Sequence, residues 1–266
     1  GVEEIDMVLS LVQKKPNLLI PIVAGARNNK AIPRGIKKIL PLLEHQDSNI
    51  SRAAAELTGI WDVKGAGESL ERLVRNSENI EERFTAARAL GRLKDFDRLA
   101  NLAKSDQSQK TRIAATAIWA EKQSDKARES VIEILTKAST IQEIEPLFLS
   151  FINRKSGDKQ LQEALQNTSI KENIAIEGIR LIRSSGREFP ELVSAMNKAG
   201  NLKLVPLDLS QKDRKKLLIE VAISGNPGRG KEVYHRKAMA CTICHQIGTK
   251  GGLVGPELSS IGAYAQ

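Results

Sequence analysis

The chain of 266 residues has only two cysteines, and they stand two residues apart with a histidine directly after them: Cys241-Thr242-Ile243-Cys244-His245. Two thiols at this spacing can each add across one vinyl group of a haem, and the imidazole that follows is then held against the iron as its proximal ligand. This is the pattern of c-type haem attachment. Two other uses of the spacing compete. A thioredoxin-like dithiol wants a strand–helix–strand context that the flanking residues do not offer. A structural zinc needs four ligands, and the only other histidines, His45 and His235, are too few at sensible spacing.

The residues around the motif read GNPGRGKEVYHRKAMACTICHQIGTKGGLVGPELSSIGAYAQ from Gly225 to Gln266. This stretch resembles the opening of a class I cytochrome c domain. In that family a short first helix, here expected at about 229–236 with Val233 and Tyr234 as its apolar pair, leads into the motif. A glycine-rich loop and a Gly-Pro pair follow, matched by Gly255-Pro256. More narrowly, the stretch is similar to a haem-binding domain of planctomycete and verrucomicrobial proteins, which follows helical repeats there.

The resemblance implies a covalently bound haem c, with Cys241, Cys244, His245 and Pro256 as cofactor-binding residues and His245 as the iron ligand. The Pro256 carbonyl would accept a hydrogen bond from the second ring nitrogen of His245, fixing its tautomer. It also implies electron transfer from a fused or partner dehydrogenase, and a periplasmic or cell-envelope location, because haem is attached there in the family. On this reading the chain is the electron-transfer part of a larger oxidoreductase. Class I cytochromes take a sixth ligand, usually methionine, from well downstream of the motif. The methionines here are Met7, Met196 and Met239, all upstream, and Met239 reads as a packing residue. The expectation is therefore an incomplete haem domain, with empty thiols or a Cys241–Cys244 disulfide, and an export signal outside this sequence.

Behind this motif must stand elements that carry it. Aromatic residues make up only 3% of the chain, and alanine, leucine and isoleucine supply the apolar content, which suits stacked helices better than a sandwich or barrel. No apolar run approaches the roughly 20 residues that span a bilayer. Self-similarity at close to 30 residues runs through the first 202 positions. Its clearest units are Arg52 to Leu57, Ala86 to Gly91, Ala114 to Ile118 and Ala175 to Ile179, each with small residues and then a larger aliphatic one a turn later. Small residues let a second helix approach, and the aliphatic residue fills the space between stacked hairpins.

Turn signals at Asn28-Asn29, Gly65-Ala66-Gly67, Ser105-Asp106, Gly157-Asp158 and Ser184-Ser185-Gly186 then divide the region. Inner helices are predicted at about 16–27, 49–62, 79–94, 108–123, 141–156 and 170–185. Outer helices are predicted at about 3–13, 33–45, 66–76, 95–105, 124–139, 158–168 and 189–199. The arrangement resembles HEAT repeats.

Several residues that could draw attention read as structural. Trp61 and Trp119 read as packing between repeats. His45 reads as a cationic cap at the end of an outer helix, and Glu81-Glu82 as acids favourable at a helix start. No Ser/His/Asp set is visible. From Gly225 to Lys231 the chain fits the first seven positions of a phosphate-cradling loop, but Glu232 stands where a Ser or Thr should help bind magnesium.

The fold expected is all-α: a HEAT-like α-solenoid over 1–202, a linker and bridging helix over 203–224, and the first part of a class I cytochrome c-like domain over 225–266. The bridging helix would be capped by Ser210 and bury Leu217, Leu218 and Val221.

A second reading keeps only the scaffold, a haem-free solenoid whose concave face binds a protein or, since the net charge is +9, nucleic acid. The charge argues against nucleic acid. The first 202 residues hold 31 Lys and Arg against 27 Asp and Glu, whereas the rest hold ten against five. Basic residues thus concentrate toward the haem motif, where they suit an acidic redox partner.

Overall fold

Asp47, Asn79 and Ser108 show why the inner helices begin where they do. Each has a side-chain oxygen that accepts a backbone N–H in the first turn, from Asn49, from Glu81 and Glu82, and from Thr111 respectively. The computed structural model describes residues 2–28, 32–202, 210–236 and 241–261. They are mostly helical, with a single short antiparallel hairpin. The chain divides into two compact units, Gly1–Leu202 and Lys203–Gln266.

In the first unit the α-helices are α1 (Val2–Leu11), α2 (Leu19–Asn28), α3 (Ser48–Ile60), α4 (Gly67–Asn76), α5 (Ile80–Arg92) and α6 (Phe96–Ser105). They continue as α7 (Gln109–Lys122), α8 (Ser124–Lys137), α9 (Ile141–Ile152), α10 (Gly157–Leu165), α11 (Glu172–Ser184) and α12 (Pro190–Ala199). Helices α2, α3, α5, α7, α9 and α11 pack in one row, each against the next, and α6, α8, α10 and α12 pack likewise in a second. The core lies between the rows. It holds Ala54, Leu57, Ala86, Leu90, Ala114, Ile118, Ala175 and Ile179, with Trp61 and Trp119 buried among them.

Small residues set the spacing. A Cβ on Gly59 would lie 2.9 Å from the Ala89 Cα, and one on Gly91 would lie 2.8 Å from the Ile118 Cγ2, so successive inner helices cross almost backbone to backbone. Arg83 is buried and reaches back nine residues to the Val74 carbonyl at 2.5 Å; Arg112 does the same to the Ala103 carbonyl at 3.2 Å. Arg83 also donates to Thr111 Oγ1 at 2.8 Å, tying α5 to α7. Glu82 is buried too, and accepts from the hydroxyls of Ser51 and Ser77.

The structure departs from expectation in four places. Residues Ile36–Glu44 form a 3₁₀ stretch rather than an α-helix, and Pro41 inside it lacks the N–H that an i→i−4 bond would use. His45 ends that stretch as expected, but its ring turns toward the next helix, where Nδ1 lies 3.0 Å from the Asp47 N–H. Helix α13 (Gln211–Ser224) is capped by Ser210 as expected, yet buries nothing: Leu217, Leu218 and Val221 are 43%, 69% and 58% exposed. Its apolar residues, Leu217, Leu218, Ile219, Val221 and Ile223, spread around the helix instead of forming one stripe. Helix α14 (Pro227–Tyr234) begins two residues early, because Asn226 caps it by accepting from the Arg229 N–H and Pro227 suits the first helical position. The linker expected at 203–209 and the packing role of Met239 lie outside the described residues.

Candidate haem-attachment site

The two cysteines bound a single helical turn, α15 (Cys241–Cys244), closed by the His245 N–H donating to the Cys241 carbonyl at 2.9 Å. A two-residue gap on one turn keeps the side chains on neighbouring positions, and both cysteines are thiols here, with no disulfide between them. Straight after His245 the chain enters the hairpin, β1 (Gln246–Ile247) and β2 (Lys250–Gly251), turned by Gly248 at φ 61°. The turn sends the chain back past the motif. Gly252 N–H donates to the Thr242 carbonyl at 2.9 Å and Gly255 N–H to the Cys244 carbonyl at 2.6 Å.

This return path sets the imidazole. The Pro256 carbonyl, which can only accept, lies 2.9 Å from His245 Nδ1, so Nδ1 donates to it and Nε2 is the ring nitrogen not engaged by that bond. Gly255 passes directly beneath the ring, where a Cβ would come within 2.6 Å of Cε1 and 2.7 Å of Nδ1. On the other side, Tyr234 at the end of α14 donates its hydroxyl to the His245 carbonyl at 2.8 Å. Partial burial, with Cys241 and Glu257 nearby, pushes the Tyr234 hydroxyl above its ordinary value, so it stays protonated and donating at neutral pH.

A second clamp holds the hairpin turn. Gly248 N–H donates to Glu257 Oε1 at 3.1 Å and to Ser259 Oγ at 2.8 Å, and the Ser259 N–H donates to the same carboxylate oxygen at 2.9 Å. The Ser259 hydroxyl first, then its N–H, hold the Glu257 carboxyl below the ordinary carboxylate value. Apolar side chains flank the motif in the open: Ile243 is 69% exposed, Leu253 83% and Val254 87%.

The residues present fit a haem. Two thiols on one turn, an imidazole whose Nδ1 is engaged by the Pro256 carbonyl, and exposed aliphatic side chains beside them are the kinds of donor and apolar surface that a covalently attached porphyrin uses. Among the described residues no three His, Cys, Asp or Glu side chains gather as a metal-binding group. The stretch 225–231 does not open as a phosphate loop: Gly225 closes α13, and 226–231 form the cap and first turns of α14.

No protein-family model matches this chain, and no curated protein does. The functional reading therefore rests on its own residues. The structure brings Cys241, Cys244, His245 and Pro256 into one short segment. It adds three contributors that sequence reasoning missed. Sequence pattern marks Tyr234 only as part of an apolar pair, places the hairpin at 246–251 in a glycine-rich loop, and gives no signal for the clamp by Glu257 and Ser259 beyond the Gly-Pro pair.

Proposed function

We propose that residues 225–266 are the opening part of a class I cytochrome c-like domain that carries haem c through Cys241 and Cys244. In the same reading, His245 is its iron ligand, and residues 1–202 form a HEAT-like α-solenoid of about six or seven hairpins that carries it. The observation that supports this most directly is the 2.9 Å approach of the Pro256 carbonyl to His245 Nδ1, which leaves Nε2 as the coordinating nitrogen. The scaffold reading draws on the paired rows of helices and on the arginine clasps of Arg83 and Arg112, repeated 29 residues apart.

The chain's part in the chemistry is attachment and orientation. Cys241 and Cys244 would hold the haem, each through one thioether made by adding its S–H across a vinyl group, with no net oxidation. Haem, when bound, supplies a one-electron ferric/ferrous couple. The Nδ1–H bond to Pro256 makes the imidazole a stronger donor at Nε2, and the Tyr234 bond to the His245 carbonyl holds the backbone from which the ring projects. Function is then electron transfer, from a fused or partner dehydrogenase in the cell envelope, within a larger oxidoreductase.

The test is to export the chain to a bacterial periplasm with a cytochrome c maturation system and record spectra after denaturation in alkaline pyridine. A reduced α-band that stays with the polypeptide, and is lost in Cys241→Ser/Cys244→Ser, supports the reading. Colourless protein from this chain and from versions extended beyond Gln266 overturns it.

A further inference from the structure

Apart from the haem segment, the first unit carries a groove whose chemistry the proposed electron transfer does not use. It has a volume of about 610 Å³ and is lined by α2, α3 and α5, successive members of the inner row. Its floor is aliphatic and shallow: Ile20, Val23, Ala53 and Ala89. Of these, Ile20 is 46% exposed.

The walls are arginines. Arg27 is engaged in a two-point pair with Glu56, at 2.6 and 2.9 Å, which neutralises the one carboxylate deep in the groove. Arg52, Arg88 and Arg92 also line the groove, and among the described residues none of them has a carboxylate within ion-pair distance. Arg88 stands over the Phe84 ring, 6.0 Å from its centroid, and Arg88 and Arg92 share a helix face one turn apart. Against these three cations stands one further acid, Glu81.

We propose that this groove is a docking site for an acidic amphipathic segment of a partner protein. A short apolar side chain would rest on Val23, Ala53 and Ala89, and flanking carboxylates would meet Arg52, Arg88 and Arg92. Planar guanidinium groups at the rim of an aliphatic trough suit carboxylates presented one turn apart on a helix. A nucleic-acid backbone fits less well. Phosphates recur every few ångströms along a strand and call for rows of cations, whereas this trough has an aliphatic floor and two glutamates in its lining. The inference is independent of haem attachment.

The test is selection of a random library of twelve-residue peptides displayed on phage against the full chain, followed by titration of the enriched peptides. The expected peptides carry two or more carboxylates beside an apolar residue. Their binding weakens at least about tenfold in Arg88→Glu/Arg92→Glu, the scale of losing two partly exposed ion pairs. Binding is unchanged in Lys126→Glu/Lys159→Glu, and weakens with added salt. Because charge reversal can perturb folding, Arg88→Gln/Arg92→Gln is measured beside it, with a smaller loss expected at unchanged melting temperature. Peptides without an acidic bias, peptides indifferent to both arginine variants, or displacement by a 20-base-pair DNA duplex at lower concentration than by acidic peptide would overturn the proposal.

Discussion

Gly255 lies flat beneath the imidazole of His245, so close that a Cβ would stand 2.6 Å from Cε1 and 2.7 Å from Nδ1. Gly255→Ala must therefore push the ring off the Pro256 carbonyl, at an overpacking cost of about 1–3 kcal/mol. We expect the wild-type ring to be the Nδ1–H tautomer by ¹⁵N NMR of the haem-free protein, and the alanine variant to be a tautomer mixture. In a maturation system the variant should also carry several-fold less haem per chain. An unchanged tautomer in Gly255→Ala would contradict the geometry.

Arg83 is a buried cation satisfied by neutral acceptors: the carbonyls of Val74, Arg75 and Ser77 and the Thr111 hydroxyl. Burial pulls its pKa down from the ordinary arginine value. Arg83→Met removes the charge and its donors, leaving the Val74 carbonyl only the longer bond from the Thr111 hydroxyl at 3.4 Å. A loss of about 2–4 kcal/mol is expected by urea unfolding followed at 222 nm. Arg128→Met, which removes a largely exposed pair with Glu163, should cost under about 1 kcal/mol.

Glycine-to-alanine changes in two inner helices should differ in sign. At Gly59 the new methyl meets the Ala89 Cα, backbone that cannot step aside, so the gain in helix propensity of about 1 kcal/mol is outweighed and the variant is destabilised. At Gly178 the nearest atom is the Cε of Met196, the far end of a flexible side chain that can turn away. Gly178→Ala should then be neutral or slightly stabilising. Parallel thermal melts of the two variants decide this.

Glu257 gives the turn before the Gly-Pro pair an acid limit. Its folded-state pKa is depressed by the Ser259 hydroxyl and the surrounding N–H donors, so the carboxylate's contribution is fully present above the unfolded value of about 4.5 and is lost as pH falls through the lower folded value. The Gly248 amide, donating to Glu257 and Ser259, reports on this directly. Its NMR shift should hold steady from neutral pH to about 5 and move below about 4.5, and Glu257→Gln should abolish that movement. A Gly248 shift that titrates near neutral pH would point to another group.

Much of the helical layout could be read from residue types. The pairs Ala86-Ala87 and Ala114-Ala115 mark helices that cross closely, and the caps Asn79 and Ser108 mark their starts, because both are decided by local chemistry. Type and face were harder. Pro41 turned an expected α-helix into a 3₁₀ stretch, and α13 has apolar residues on too many sides for its pattern to name a buried face. At the motif, the order Cys-x-x-Cys-His displays its own chemistry, whereas the Tyr234 bond and the Gly248 clamp join residues eleven apart with no characteristic spacing. Arg52 opens an inner helix on the 30-residue period, but Arg27, Arg88 and Arg92 fall off it, so the groove exists only through the packing of α2, α3 and α5.

Arg83 and Arg112 each fasten to a carbonyl nine positions back, and they stand 29 residues apart. That makes length a quantised property of the first unit. Excising 80–108 would splice two backbone sites that already share the same local geometry, Arg112 inheriting the Val74 carbonyl in place of Arg83. A protein built this way can be shortened or lengthened in whole steps without redesigning its joints.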